Sequence, residues 1–321
     1  MLDSLRLPLS RAILGTMTFG DTCPPEKSRE LLAVALDAGI TMIDTANGYT
    51  AGKAEEIIAP FYVKHSDKMM IATKVGIPHK DAGDAHPLSK AGITRCVVAS
   101  LSRLKVDHVD VLYLHTPDRL TPIVETLEVV AQLIQQGKIT SYATSNFSSW
   151  QLAELSHSAS KMGLIQPVLA QQMYSLIARK IEDEFIEYAQ TSKTNLISYN
   201  PLGGGLLANR YTLNSTPNEG RFGGSSLAQM YRSRYWNKET FDVLSLLTEI
   251  ATKHSMTLAQ LSLRWLISKS DVTSVLLGAS KIENLRESCN YMDQDGLSEM
   301  IIKECDEVSA PLKGISPKYN R

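Results

Sequence analysis

Hydrophobic and polar positions along the chain follow two periods in alternation. Short apolar runs occupy 11–14, 40–44, 69–73, 109–114, 138–145, 167–171, 195–199 and 273–277, each the length of a single strand. Between them, apolar residues recur at helical spacing. Leu31, Leu32, Ala35 and Leu36 within 28–37 are an example, with Gly39 as the stop. The same pattern predicts helices near 53–59, 94–104, 122–136, 149–161, 180–191, 239–253, 257–268 and 281–290. Eight strands, each followed by helix, predict βα units around a parallel sheet. A doubly wound open sheet usually carries a glycine-rich dinucleotide fingerprint after its first strand, and the spacing of Gly15 and Gly20 does not fit one. The expectation is an α/β chain folded as a single (β/α)8 barrel domain over 1–321. Two polar stretches, 78–92 and 202–236, break the rhythm. Loops of that length in a compact barrel are usually lids or binding loops.

Composition narrows the picture little but excludes some classes. With 43% hydrophobic residues in 321, a large core is easily filled. The balance of 33 basic against 34 acidic residues argues against a broad nucleic-acid or anionic-membrane surface. Cys23, Cys96, Cys289 and Cys305 show no paired spacing and read as buried thiols in a reducing compartment. Asp3, Arg6 and Arg11 interrupt the apolar N-terminus, and no run approaches the roughly 18 apolar residues of a membrane span. A soluble cytoplasmic protein, monomeric or homodimeric, is expected.

Residues that follow strand ends in a parallel barrel converge on one face, where such barrels carry out chemistry. Asp44 ends the second apolar run and Tyr49 lies in the loop after it; Lys74 and His115 follow the third and fourth. A tyrosine acts as a general acid when a nearby ammonium brings its pKa toward neutrality, and a buried lysine needs a carboxylate to stay charged. Asp44, Lys74 and Tyr49 supply that dependence, and His115 can orient a carbonyl oxygen. Singly, each has a plainer reading: a turn cap, a rim aromatic, a solvated lysine, a core histidine. Lys74 could also form a Schiff base in a lyase or isomerase. Gly278, Ser280 and Lys281 precede a helix whose N-terminus suits an anion.

Asp44-Thr45-Ala46 with Tyr49, then Thr73-Lys74, Tyr113-Leu114-His115 and Thr144-Ser145-Asn146-Phe147, resemble the aldo-keto reductase superfamily of NADPH-dependent (β/α)8 barrels. Gly220-Arg221-Phe222, Tyr231 to Trp236 and the terminal Tyr319-Asn320-Arg321 resemble its aflatoxin-aldehyde and succinic-semialdehyde reductase branch. The resemblance implies reduction of a small carbonyl compound, with Tyr49 as proton donor tuned by Lys74 and Asp44. It places Ser145, Asn146 and Gln171 on the nicotinamide carboxamide and Tyr199 against the ring. Asn200, Pro201, Leu202, Gly204 and Leu206 would line the pyrophosphate, with Arg210 as a phosphate partner. Gly278, Ser280, Lys281 and Glu287 would hold the adenosine end and its 2′-phosphate. Asn284 and Ser288 depart from the family pattern, so NADPH preference rests on Ser280 and Lys281. Arginine's planar fork matches a carboxylate, and one of Arg232, Arg234 or Arg321 is expected to hold an anionic substrate tail. A non-catalytic, channel-associated NADPH sensor is the alternative within the superfamily.

Overall fold

Side chains alternate across a strand, and in the computed structural model, which describes residues 2, 5–215 and 217–313, the two phases build separate cores. Eight parallel strands pair in chain order and close on themselves: β1 (Ala12–Gly15), β2 (Met42–Asp44), β3 (Met70–Val75), β4 (Val109–Leu114), β5 (Ile139–Ser145), β6 (Ala170–Met173), β7 (Leu196–Tyr199) and β8 (Val272–Leu277). Ile13, Met42, Met70, Ala72, Val111, Tyr113, Ala143, Leu169 and Ile197 form the cluster inside the barrel. Leu14, Ile43, Ile71, Leu112, Tyr142, Ala170, Leu196 and Val275 face outward and join the larger core beneath the helices.

The inner phase explains where the polar residues go. Two residues beyond Met42, Ala72, Tyr113, Ala143, Leu169 and Ile197 stand Asp44, Lys74, His115, Ser145, Gln171 and Tyr199. The register sets Lys74 beside Tyr113 and Ser145 beside Gln171. Backbone pairing continues past the strands, with His115 N donating to Val75 O at 2.7 Å and Asn146 N to Gln171 O at 3.1 Å. The apolar layers therefore end in a polar layer at the C-terminal rim. At the opposite end Leu5, Leu7 and Leu9 pack under the inner cluster. Arg6 ties this segment down, donating to Met69 O at 2.8 Å and to Asp110 Oδ1 at 3.2 Å.

The helices around the barrel are α1 (Pro25–Asp37), α2 (Lys53–His65), α3 (Lys90–Leu104), α4 (Ile123–Gln135), α5 (Ser149–Lys161), α6 (Phe185–Ser192), α7 (Ala228–Tyr235), α8 (Lys238–Lys253), α9 (Leu258–Ile267), α10 (Ile282–Met292) and α11 (Glu299–Ser309). Several differ from expectation; α6, expected over 180–191, begins at Phe185 after a separate 3-10 turn at Lys180–Asp183. Helix α2 continues through Pro60, whose ring sits on the exposed face, and goes on to bury Tyr62. Helix α3 begins at Lys90, where Ser89 Oγ accepts from Gly92 N at 3.2 Å. Helices α7 and α11 were not anticipated. The 202–236 stretch is folded rather than extended. It carries α7 and packs Tyr211, Phe222 and Trp236 against Phe241, with ring centroids 5.0 Å apart for Tyr211–Phe222 and Trp236–Phe241.

Candidate active site

Asp44 and Lys74 meet at the top of the barrel interior with no exposure to solvent. The Lys74 ammonium donates to Asp44 Oδ1, to Thr45 O at 3.1 Å and to Tyr49 Oη at 3.4 Å. Gln171 Nε2 donates to the second carboxylate oxygen of Asp44 at 2.9 Å. Both Asp44 oxygens are thus satisfied, as burial of a charge demands. Tyr49 is half-buried, and its ring meets that of His115 edge-on, with centroids 6.1 Å apart.

The electrostatics differ from the sequence reading in one respect. Lys74 was expected to pull the Tyr49 phenol down. Instead burial, then the Asp44 carboxylate, raise it well above its ordinary value, with Arg221 opposing. Desolvation of the phenolate outweighs attraction by an ammonium whose charge Asp44 already neutralises at contact distance. Burial lowers Lys74 while Asp44 works against that. Burial and then the Lys74 charge hold His115 well below the ordinary histidine range, so its imidazole is neutral near pH 7. The constellation is a protonated phenol, a charged lysine locked to its carboxylate, and an uncharged imidazole. Such a set can hand one proton to an oxygen placed against Tyr49 and stabilise that oxygen as charge develops.

A second group lines the rim beside it. Tyr199 Oη donates to Asn146 Oδ1 at 2.7 Å, and Asn146 Nδ2 donates to His115 O at 2.9 Å. Asn146 takes a left-handed φ of 62°, which asparagine tolerates, and the cap of α5 is Ser148 rather than Ser145 or Asn146. Asn200, at φ 60°, braces the next turn: its Oδ1 accepts from Gly204 N at 3.0 Å and its Nδ2 donates to Tyr235 Oη at 2.7 Å. Gly204 has φ 70°, and a Cβ there would come 2.7 Å from the Tyr231 ring. From this turn a groove of about 410 Å³ leads outward between Leu202, Arg210, Asn284, Glu287 and Ser288. Asn284 Nδ2 is buried in it without a partner.

Residues 11–310 match the model of the Aldo/keto reductase family. The chain belongs to that family. It is an oxidoreductase of the kind that works with NAD(P)H on small carbonyl compounds. The reductase is 30% identical to aflatoxin B1 aldehyde reductase member 2 of Rattus norvegicus, over 96% of this chain and 87% of the rat protein. It is 31% identical to human aldo-keto reductase family 7 member A3, over 98% and 99%. A probable voltage-gated potassium channel subunit beta of Arabidopsis thaliana is 32% identical, over 86% and 85%.

The structure brings Asp44, Tyr49, Lys74 and His115 together, and sets Ser145, Asn146, Gln171 and Tyr199 around them. Gln171 spends its amide nitrogen on Asp44, so the carbonyl oxygen is the atom it has left for a ligand. Leu202, Arg210 and Glu287 line the groove, while Lys281 and Ser280 stand at the N-terminus of α10. Gly278 is exposed just before them, and Pro201 and Leu206 are buried in the turn beneath. The arginines divide. Arg232 is committed to the loop's own backbone, with Nε on Phe222 O at 2.7 Å and Nη2 on Pro217 O at 3.4 Å. Arg234 is half-buried on α7, and Arg321 lies outside the described residues. No group of three His, Cys, Asp or Glu residues forms a metal site among the described residues, where no helix is long and apolar enough to cross a membrane. Sequence reasoning overlooked Glu55 and Arg103. Their signal is slight: a glutamate in the first turn of α2 between buried Ala54 and Ile57.

Proposed function

We propose that the protein reduces aldehydes or ketones to alcohols at the expense of NADPH, with Tyr49 donating the proton to the carbonyl oxygen. The observation that carries this reading is the chain Gln171–Asp44–Lys74–Tyr49, a single buried hydrogen-bonded series that ends on a phenol at the rim. The residues present fit the cofactor. The groove from Leu202 to Ser288 encloses about 410 Å³, Asn284 offers a ligand there an unused donor, and Lys281 at a helix N-terminus suits a 2′-phosphate. NADPH, when bound, supplies the hydride. Tyr49 stays protonated because burial holds its phenol high. Neutral His115 places the carbonyl oxygen, and Lys74 steadies the oxygen of Tyr49 as its proton leaves. Ser145, Asn146 and the free oxygen of Gln171 would orient the carboxamide, and Tyr199 the ring. An anionic substrate tail would be held by one of Arg232, Arg234 or Arg321.

NADPH consumption with 2-nitrobenzaldehyde, succinic semialdehyde and methylglyoxal tests the reading. Tyr49→Phe should lower kcat by ~10²–10⁴, the scale of a lost general acid, with NADPH affinity unchanged. Turnover close to wild type would remove Tyr49 from the reaction. Binding of NADPH with no turnover on any carbonyl would favour a sensor, as the potassium-channel relative's name suggests for that protein.

A further inference from the structure

We propose that Glu55 and Arg103 are positioning residues: they clamp the backbone between Tyr49 and α2 against β3, and so set the distance between the Tyr49 hydroxyl and the Lys74 ammonium. This rests on the reading of Tyr49 as proton donor.

The backbone after Tyr49 is strained. Thr50 and Ala51 have φ of 51° and 55°, and Gly52 has 94°. Threonine and alanine have no intrinsic reason to enter the left-handed region, so the surroundings must hold them there. Three contacts do so. Thr50 Oγ1 donates to Phe19 O at 2.8 Å. The Arg103 side chain lies flat on Gly52, where a Cβ would come within 2.7 Å of Nε. Glu55, fully buried in the first turn of α2, accepts from Arg103 Nε at 2.7 Å and from Thr73 Oγ1 at 2.6 Å. Arg103 also donates to Asp81 Oδ2 at 2.8 Å, which anchors it to the turn after β3.

The placement is what separates a clamp from an ordinary buried ion pair. Thr73 immediately precedes Lys74 and, by strand alternation, points outward where Lys74 points in. Glu55 therefore joins the segment that carries Tyr49 to the strand that carries Lys74, on the side of the sheet away from substrate. The Lys74–Tyr49 separation of 3.4 Å is at the outer limit of a hydrogen bond, so a shift of a few tenths of an ångström breaks it. Neither Glu55 nor Arg103 touches the substrate face.

The test uses the full chain with NADPH and 2-nitrobenzaldehyde. Arg103→Met should lower kcat by about tenfold or more, since misplacing a reacting group by an ångström costs on that scale or above. NADPH affinity, read by quenching of protein fluorescence, should be unchanged. The solvent deuterium isotope effect on kcat should rise, because proton transfer from Tyr49 becomes the slower event. Arg103→Lys should recover part of the loss. Glu55→Gln and Thr73→Val, both close in shape to the native residues, should show the same pattern, and they carry the test if Arg103→Met does not fold. Wild-type kcat and isotope effect in the folded variants overturn the clamp. So does a fall in kcat matched by an equal loss of folded protein with no change in the isotope effect. Tyr49→Phe runs alongside. If it is inactive while Arg103→Met behaves as wild type, only the clamp falls; if it turns over normally, the reading of Tyr49 falls and the clamp with it.

Discussion

The buried pair Asp44–Lys74 makes a stability prediction that is separate from catalysis. Asp44→Asn removes the counter-charge and leaves the Lys74 ammonium only neutral acceptors: the new amide oxygen, Thr45 O at 3.1 Å and Tyr49 Oη at 3.4 Å. Both side chains of the pair are at most 1% exposed, so water does not replace what is lost. Breaking such a pair from one side costs about 3–5 kcal/mol. The pH dependence has a definite sign. Burial already lowers Lys74 and Asp44 opposes it, so the variant's lysine falls further. The unfolded chain then binds more protons than the folded one, and stability rises with pH across the interval between the two values. The deficit against wild type should be largest below the variant lysine's own value and should narrow, at about 1.4 kcal/mol per unit, as pH rises toward that of the wild-type lysine, itself below the ordinary value. Asp44→Asn combined with Lys74→Met should recover most of the loss, because a buried pair exchanged for uncharged groups is close to neutral. Urea unfolding followed by the fluorescence of buried Trp265 measures all three proteins. Both variants should be inactive. A single-variant cost below about 1 kcal/mol, no larger than an exposed pair is worth, would refute the reasoning, as would a double variant no more stable than the single.

Two further outcomes are expected. Lys281→Ala should weaken NADPH much more than NADH in fluorescence titration, since only the former carries a 2′-phosphate for the ammonium; equal losses would place the discrimination elsewhere in the groove. Burial works to raise Glu182, but hydrogen bonds from Arg179 and Lys313 outweigh it and hold its carboxyl at about 2. A depressed folded value stabilises above the ordinary value of about 4.3 and is lost as pH falls toward it and below, so Glu182→Gln should cost about 3 kcal/mol near neutrality and little at about pH 2. A deficit independent of pH would mean that packing, not charge, is at stake.

The barrel and its polar rim were legible because one rule produces both. Inner-phase positions are mostly apolar until the C-terminal rim, and the polar residues that cluster there, Asp44, Lys74, His115 and Ser145, are those aimed at the site. What could not be read lies where tertiary contacts overrule local signals. Thr50 and Ala51 carry no mark of a left-handed backbone; contacts from Phe19 to Thr50 and from Arg103 to Gly52 accompany it. Pro60 looks like a helix end, yet α2 runs through it because the ring faces water. The phenol of Tyr49 looked as if Lys74 would govern it, but depth of burial appears only once the fold is closed. Nor does the sequence show that Arg232 reaches back to the carbonyls of Phe222 and Pro217.

The closure of β8 on β1 has a consequence for biosynthesis. Ala12 to Leu14 pair with Val275 to Leu277, so the first strand made must wait for the last before its outer edge is covered. Contacts so distant along the chain form late and slowly, and an uncovered strand edge invites association with other chains. Helix α10, whose N-terminus carries Lys281, follows β8 directly. A polypeptide released early would therefore lack the sealing strand and one wall of the nucleotide groove together. Translation of the final segment completes both, so an unfinished chain is a target for chaperones or proteases and never a weak enzyme.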